Sequence, residues 1–253
     1  CAKKSTSYQL LLFESTQEII SITFVSGMVN FLNFSGIRLF NSLNLTMTLI
    51  SGGGFLPSNN LSEIISTNFQ KIILIIALIF SFLNFYLFIN LFDREKLTRY
   101  HKEDFYLLIL VFILILPVFI SPYNVLNSII NVLSSLANSG ITLTKSNNNF
   151  SLFFLFITII GGSLISNSSG IKLSRFYILV KITSSEILKL ISPNTVINKT
   201  IFNSDIKITD ENIKISFLIF ISFFISLIFL SSLLAFDSLD FESSFKLSVL
   251  ALT

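Results

Sequence analysis

Long apolar stretches alternate with shorter, mildly polar stretches along this chain. Four stretches carry no charged residue: Ile72–Phe92, Phe105–Thr144, Ser146–Ile171 and Ile215–Phe236. A helix needs about 20 residues to cross the hydrocarbon core of a bilayer, and each of these stretches is long enough. The pattern predicts an all-α integral membrane protein whose spanning helices cover 69–92, 105–120, 150–166 and 215–236, after an earlier apolar segment at 18–34.

One short pattern occurs twice, 86 residues apart. The segment 41–55 aligns without a gap on 127–141, and each copy is a mildly polar helix that runs into a small, polar, glycine-containing turn. We predict re-entrant pore half-helices at 37–50 and 123–136, with turns at 51–55 and 137–141. A third half-helix covers 241–253, and Thr253 aligns with Ala137 as the first residue of its turn.

The turns carry the residue types that a dehydrated cation requires. Backbone carbonyl oxygens replace the water around a monovalent cation, and Gly54 and Gly140 permit backbone conformations that direct successive carbonyls to one point. Each half-helix also points its partly negative C-terminal end at that space, worth about 0.3–1 kcal/mol. The alternative is that the turns are glycine-rich helix ends that only pack against neighbours. The candidate cation-binding residues are Ser51, Gly52, Gly53, Gly54, Ala137, Asn138, Ser139, Gly140 and Thr253.

The Lys and Arg residues are divided unevenly between the two sides of the predicted membrane. Thirteen fall on the side of the charged loop 93–104 and the polar connector 192–214, and four fall on the other side. By the positive-inside rule, the side with thirteen is cytoplasmic. Both glycine turns then enter the membrane from outside. This is required if the two turns together form one cation-selecting filter. Glu103 and Asp104 end the charged loop and are expected to be solvated.

A polar segment interrupts the spanning helix that begins at 150. We predict that this helix breaks at 167–170 and resumes as a basic, amphipathic helix to 191. Polar, non-helical backbone at membrane depth is tolerated where protein or a water-filled cavity surrounds it. A loop here would lie under the turns, where it could close the path. The alternative is a helix kink or the membrane exit, since Lys172 and Arg175 follow closely.

Composition agrees with a membrane setting and offers little for other chemistry. Of the 253 residues, 52% are hydrophobic and 12% are charged, and the mean hydropathy is +0.80, whereas soluble domains carry about 25% charged residues. The single Cys1 excludes a disulfide framework, and His101 has no second histidine or cysteine for a metal site. The chain is therefore not expected to be an enzyme or to hold a cofactor.

Several of these segments resemble the Trk/Ktr/HKT potassium transporter superfamily, in particular its TrkH-type membrane subunit. The turns 51–55 and 138–140 resemble the filter turns of that family. The segment 161–172 resembles its Gly-Gly-x-x-Gly-Ser-x-x-Gly-Gly-(Ile/Leu)-Lys signature, and 179–194 is similar to its cytoplasmic connector. The chain departs from the family at Gly52, usually Thr, and at Ile165 and Ser169, each usually Gly.

The resemblance implies a pore of four helix–half-helix–helix repeats with pseudo-fourfold symmetry. Residues 1–92 would form repeat two, 105–191 repeat three and 215–253 the start of repeat four, so we expect the chain to be a fragment. The break in repeat three would be an intramembrane gate. Its residues are Gly161, Gly162, Ser163, Asn167, Ser168, Ser169, Gly170 and Lys172.

The function that the resemblance implies is potassium uptake across the cytoplasmic (inner) membrane of a bacterium. The filters of this multi-pass protein would face outward, and potassium would be the substrate. A homodimer, a cytoplasmic nucleotide-binding regulatory subunit and the surrounding lipid would be the partners, without nucleic acid. The alternatives are a sodium-permeable transporter of the same family and a non-conducting structural or assembly subunit.

Overall fold

The computed structural model describes residues 25–58, 60–83, 101–117, 124–143, 148–164, 166, 168–192, 200–202, 207–236 and 239–253. Its helices are α1 (25–34), α2 (Leu39–Ser51), α3 (Asn68–Phe82), α4 (His101–Ile115), α5 (Val125–Ala137), α6 (Asn148–Ile159), α7 (Leu173–Ile191), α8 (Asp210–Phe236) and α9 (Phe241–Leu252). Between α6 and α7 lies a small parallel sheet of β1 (Ile160–Gly161) and β2 (Ile171–Lys172), and a 3-10 turn at Leu61–Glu63 precedes α3.

The two repeated half-helices, α2 and α5, end in the same way. Gly52 follows α2 with φ 65°, and Asn138 follows α5 with φ 53°. A left-handed residue ends a helix because it turns the next amides back onto the last carbonyls. Ser51 and Ala137, which the pattern placed in the turns, are therefore the last helical residues. The half-helices also begin two residues after the starts predicted at 37 and 123.

The packing of α3 against α5 forms the centre of the described core. Leu74, Leu78 and Phe82 of α3 and Leu133 and Leu136 of α5 are almost fully buried. Helix α2 packs on α3, while α4 and α6 pack on α5. Between helices in a membrane, close van der Waals packing provides this stabilisation, since lipid is as apolar as leucine. The second turn thus follows a half-helix held on three sides.

Helix α8 faces outward along most of its length. Among the described residues it is the one helix both long and apolar enough to cross a membrane, with 27 residues and a mean hydropathy of 2.7 in its most apolar window. Its buried residues are Ser216, Leu227 and Ser231. A helix that is apolar all round yet exposed is typical of a lipid-facing span. Leu227 packs with Leu155 of α6 and Val249 of α9.

The break in the third spanning helix begins earlier than the pattern predicted. The prediction of continuous helix to 166 is wrong, because α6 ends at Ile159. Residues 160–161 leave the helix and pair in parallel with 171–172, so that the two ends of the polar segment satisfy each other's backbone groups. The segment between α6 and α7 is called the 160–172 loop below. The prediction of continuous helix over 69–92 is also wrong, because α3 ends at Phe82, where Leu83 is extended. Residues 84–100, 118–120, 193–199 and 203–206 of the predicted spans and connectors lie outside the described residues.

Candidate cation pathway

The two glycine turns lie directly against each other. A Cβ atom placed on Gly140 would be 3.2 Å from the Cα of Gly54, and one placed on Gly52 would be 3.1 Å from the carbonyl oxygen of Asn138. Gly54 and Gly140 have φ values of +67° and +66°, which side chains rarely adopt. The structure therefore brings together two segments that the sequence separates by 86 residues, with backbone facing backbone at close range.

Hydroxyl groups in the last turn of each half-helix hold the residue that follows the glycines. The hydroxyl of Thr48 donates to the carbonyl of Phe55, and the hydroxyl of Ser134 accepts from the amide of Ile141 at 3.0 Å. Thr48 aligns with Ser134, and Phe55 aligns with Ile141, in the ungapped repeat. These supports were missed by the sequence reasoning, although the alignment already paired the two hydroxyl residues.

The polar neighbours of the glycines take part in the turns in different ways. Ser51 accepts from the amide of Gly53 at 3.2 Å, and the hydroxyls of Ser139 and Ser134 are 3.0 Å apart. Asn138 instead reaches out of its turn, since its amide nitrogen donates to the carbonyl of Thr158 in α6 at 3.2 Å. That bond ties the second turn to the helix that leads into the 160–172 loop.

Thr253, predicted to be the first residue of a third turn, directly follows the last residue of α9. Its amide and its hydroxyl donate to the carbonyl of Val249 at 3.0 and 2.9 Å, which continues the helical pattern. At the aligned half-helix position, Ser42, Ser128 and Ser244 are all buried. The third half-helix thus shares a buried serine with the other two.

The 160–172 loop is held closed on itself by Lys172. The ammonium of this residue donates to the carbonyl of Ser166 at 3.0 Å and also to the carbonyl of Ser168. The hydroxyl of Ser168 accepts from the amide of Gly162 at 2.7 Å. Lys172 is therefore a structural part of the loop, and its charge is satisfied by carbonyl oxygens of the loop.

Close approach of backbone requires glycine at both ends of this loop. A Cβ atom on Gly161 would overlap the carbonyl oxygen of Ser169, and one on Gly162 would overlap that of Phe82. A Cβ atom on Gly170 would lie 2.9 Å from the carbonyl oxygens of Thr158 and Ile159. The signature glycines are explained by these contacts, since any larger residue would displace the loop.

Two neighbouring helices bind the middle of the loop. The amide of Ser163 donates to the carbonyl of Phe82 at the end of α3, at 3.1 Å. The amide of Leu164 donates to Oε1 of Glu103 in the first turn of α4, at 3.0 Å. The expectation that Glu103 and Asp104 are solvated is wrong: their exposed fractions are 8% and 2%. The loop contacts the Glu103 carboxylate, and no local pattern signalled that contact.

The placement of the remaining candidates follows from these contacts. Ser169 contributes the carbonyl that faces Gly161, while the hydroxyl of Ser163 is fully buried without a hydrogen-bond partner among the described residues. Asn167, like Ile165, lies outside the described residues. Within the described part of the chain, no group of three or more His, Cys, Asp or Glu side chains could hold a metal ion.

Two half-helices bring their glycine turns into contact, and a glycine-rich loop separates α6 from α7. The structure matches the crystal structure of the potassium transporter TrkH from Vibrio parahaemolyticus with a TM-score of 0.79 and 18% sequence identity, over 94% of this chain and 54% of that one. The chain has the all-α membrane fold of a TrkH-type subunit.

A comparison of sequences gives a related result. An uncharacterized cation transporter of Methanocaldococcus jannaschii is 27% identical over 235 residues, which cover 86% of this chain and 48% of that protein. No family model matches the chain. The chain spans about half the length of both proteins.

Proposed function

We propose that this chain forms part of a potassium uptake pathway across the cytoplasmic membrane. The observation that carries the proposal is the contact between the Gly54 and Gly140 turns. Two half-helices end at one place, and their terminal carbonyl groups have no amide partners within the helices. Carbonyl dipoles at close range are what a monovalent cation needs when it loses its water. The absence of Asp and Glu from both turns favours a monovalent over a divalent cation.

A complete filter of this kind needs more turns than the two in contact here. By the resemblance to four-repeat transporters, two further turns would close the ring, one of them directly after Thr253. The buried serine that α9 shares with α2 and α5 supports this third position. The match to about half of a potassium transporter supports it as well.

The 160–172 loop is proposed to be the gate of this pathway. It separates α6 from α7 with polar, non-helical backbone. Asn138 connects the second turn to Thr158, near the end of α6, just before the loop begins. Such backbone is stable inside a membrane only beside protein or water. In the arrangement described here the loop is tied to itself by Lys172 and to α3 and α4 through its middle amides.

The proposed setting is the inner membrane of a bacterium, with the turns facing outward. A homodimer and a cytoplasmic nucleotide-binding regulator are proposed as partners on the strength of the resemblance alone. A sodium-permeable transporter of the same fold is the second candidate, because Gly52 stands where the family usually has Thr and changes the first turn.

Growth and flux together test this function. The full-length protein would be expressed in a bacterium that lacks its own potassium uptake systems, and growth would be measured at low potassium. The purified protein in liposomes would then be assayed for potassium and sodium flux. Rescue with potassium flux above sodium flux is expected. Equal fluxes would favour the sodium-permeable alternative, and a folded protein without flux would favour a structural subunit.

A further inference from the structure

The contact between Glu103 and Leu164 joins two parts of the chain with separate predicted roles. Glu103 lies in the first turn of α4, near the end of the predicted charged loop 93–104, while Leu164 lies in the middle of the 160–172 loop. The carboxylate is 8% exposed, and its Oε1 accepts from the Leu164 amide at 3.0 Å. We propose that Glu103 is a positioning residue that holds the 160–172 loop in its closed arrangement, an inference that rests on the proposed gating role of that loop.

The loop has few ties to the rest of the protein that depend on a side chain. Lys172 and Ser168 bind other residues of the loop. The Ser163 amide binds a backbone carbonyl of Phe82, and the Leu173 amide binds the carbonyl of Gly162. Among the hydrogen bonds of the described residues, the bond from the Leu164 amide to Glu103 is the one that joins the loop backbone at 161–169 to a side chain outside the loop. Removing the Glu103 carboxylate would take away one of the two described hydrogen bonds that tie the loop middle to neighbouring helices, and would leave the Ser163–Phe82 bond and the contacts within the loop in place.

The surroundings of the carboxylate suit this role. Burial and the neighbouring Asp104 raise the pKa of the Glu103 carboxyl, and the hydrogen bond from the Leu164 amide opposes that shift by stabilising the carboxylate. Lys172 attracts Glu103 through space, although its ammonium donates to Ser166 and Ser168. The backbone and hydroxyl of Ser174, at the start of α7, also lie near the carboxylate. From the first turn of α4, Glu103 thus reaches between the loop and the first turn of α7, and a displacement of α4 would withdraw the acceptor from Leu164.

Opening of the loop then has a defined chemical consequence. When the carboxylate moves away, the Leu164 amide and the carboxylate must both find water, because an unpaired buried polar group is strongly disfavoured. Water enters at Leu164, whose side chain is already 47% exposed. The proposal therefore predicts that the accessibility of position 164, and not only transport, depends on the length and acceptor character of residue 103.

The test measures that accessibility directly. Cys1 is the only cysteine, so the full-length protein carrying Cys1→Ser and Leu164→Cys (with any cysteine outside this chain also replaced) reports on position 164 alone. The rate of modification by a small water-soluble thiol reagent would be measured in liposomes, beside potassium flux and the melting temperature. Glu103→Ala should raise the modification rate about tenfold, as expected for the loss of one charge-assisted hydrogen bond, and should raise flux in the same sense.

Two variants distinguish positioning from a general need for bulk or charge. Glu103→Gln keeps an acceptor oxygen at the same reach and should stay within about threefold of the parent, since a neutral bond is roughly half as strong. Glu103→Asp keeps the charge but is one methylene shorter, and should behave like Glu103→Ala. Glu63→Ala, a change at an exposed carboxylate, is the matched control and should alter nothing.

The outcomes separate this inference from the proposed function. Equal modification rates in the parent, Glu103→Ala and Glu103→Asp would overturn the positioning role, even if the protein transports potassium. If Glu103→Ala does not fold, the comparison of Glu103→Asp with Glu103→Gln decides in the same way. A parent protein without potassium flux would contradict the proposed function. The order of the modification rates among the variants would still show whether Glu103 positions the loop.

Discussion

Thr48 and Ser134 occupy equivalent positions in the two half-helices and contact equivalent residues of their turns. Each uses its hydroxyl to hold the backbone of the residue seven positions later, Phe55 through its carbonyl and Ile141 through its amide. Each hydrogen bond therefore spans the segment that contains the glycine of its own turn, Gly54 or Gly140. The internal repeat is thus preserved in side-chain hydrogen bonds as well as in helix order.

Removing these hydroxyls should loosen the turns. Thr48→Val and Ser134→Ala each delete one hydrogen bond, worth about 0.5–1.5 kcal/mol. We expect the potassium-to-sodium flux ratio of the full-length protein to fall about fivefold in each variant, the factor that corresponds to about 1 kcal/mol. Ser222→Ala is the control, because that exposed hydroxyl donates to the Ile219 carbonyl of its own helix. An unchanged flux ratio in both turn variants would remove the hydroxyls from the filter.

A side chain at the glycine contact should damage selectivity more severely. Gly140→Ser and Gly54→Ser place a side chain at a positive φ, which costs about 1–2 kcal/mol, and at Gly140 the added atom would lie 3.2 Å from the Cα of Gly54. We expect the flux ratio to fall about tenfold or more, since each 1.4 kcal/mol is a factor of ten. Growth rescue at low potassium should be lost in parallel.

Gly27→Ser provides the comparison for these two variants. A Cβ atom at Gly27 meets nothing within 4 Å, so this change should leave both the flux ratio and the melting temperature unaffected. Wild-type growth and flux ratio in Gly140→Ser and Gly54→Ser would show that the turns only pack helices.

Neutralising Lys172 should release the 160–172 loop from within. Lys172→Met keeps the length of the side chain but removes the ammonium that binds Ser166 and Ser168, and a hydrogen bond to a charged group is worth about 1.5–3 kcal/mol. We expect potassium flux per folded molecule to rise, with a modest fall in melting temperature. Lys189→Met is the control, since Lys189 pairs with Glu186 on an exposed face of α7. A lower melting temperature with unchanged flux would make the bond structural only.

Shortening the loop should open the pathway, whereas making it helical should not. Deletion of 165–169 removes the segment that Lys172 holds and is expected to raise flux. Replacing Ser168, Ser169 and Gly170 by alanine favours continuous helix, because glycine costs about 1 kcal/mol relative to alanine in a helix, and should lower flux. The measurements are flux in liposomes and the thermal stability of the purified variants. Equal flux in both variants, with stability alone changed, would place the gate elsewhere.

The repeat made much of this fold predictable from the sequence. The glycine spacing located both half-helices to within two residues, and the ungapped alignment indicated that the turns serve one place. The signature glycines located the loop. Long-range contacts were not predictable: α6 ends at Ile159 because its next residues pair with 171–172, and Glu103 is buried because the loop folds over it. Neither partner lies within a local window, so hydropathy and charge patterns favoured a longer helix and a solvated acid.

The location of a bound cation tests the central claim most directly. Crystals of the full-length protein would be grown in rubidium, a heavier substitute for potassium, and the anomalous difference density would be measured. We expect a peak at coordination distance from the carbonyl oxygens of the Gly54 and Gly140 turns, weakened when rubidium is replaced by sodium. A protein that transports potassium but shows its rubidium peak away from both turns would contradict the assignment of these turns to the filter.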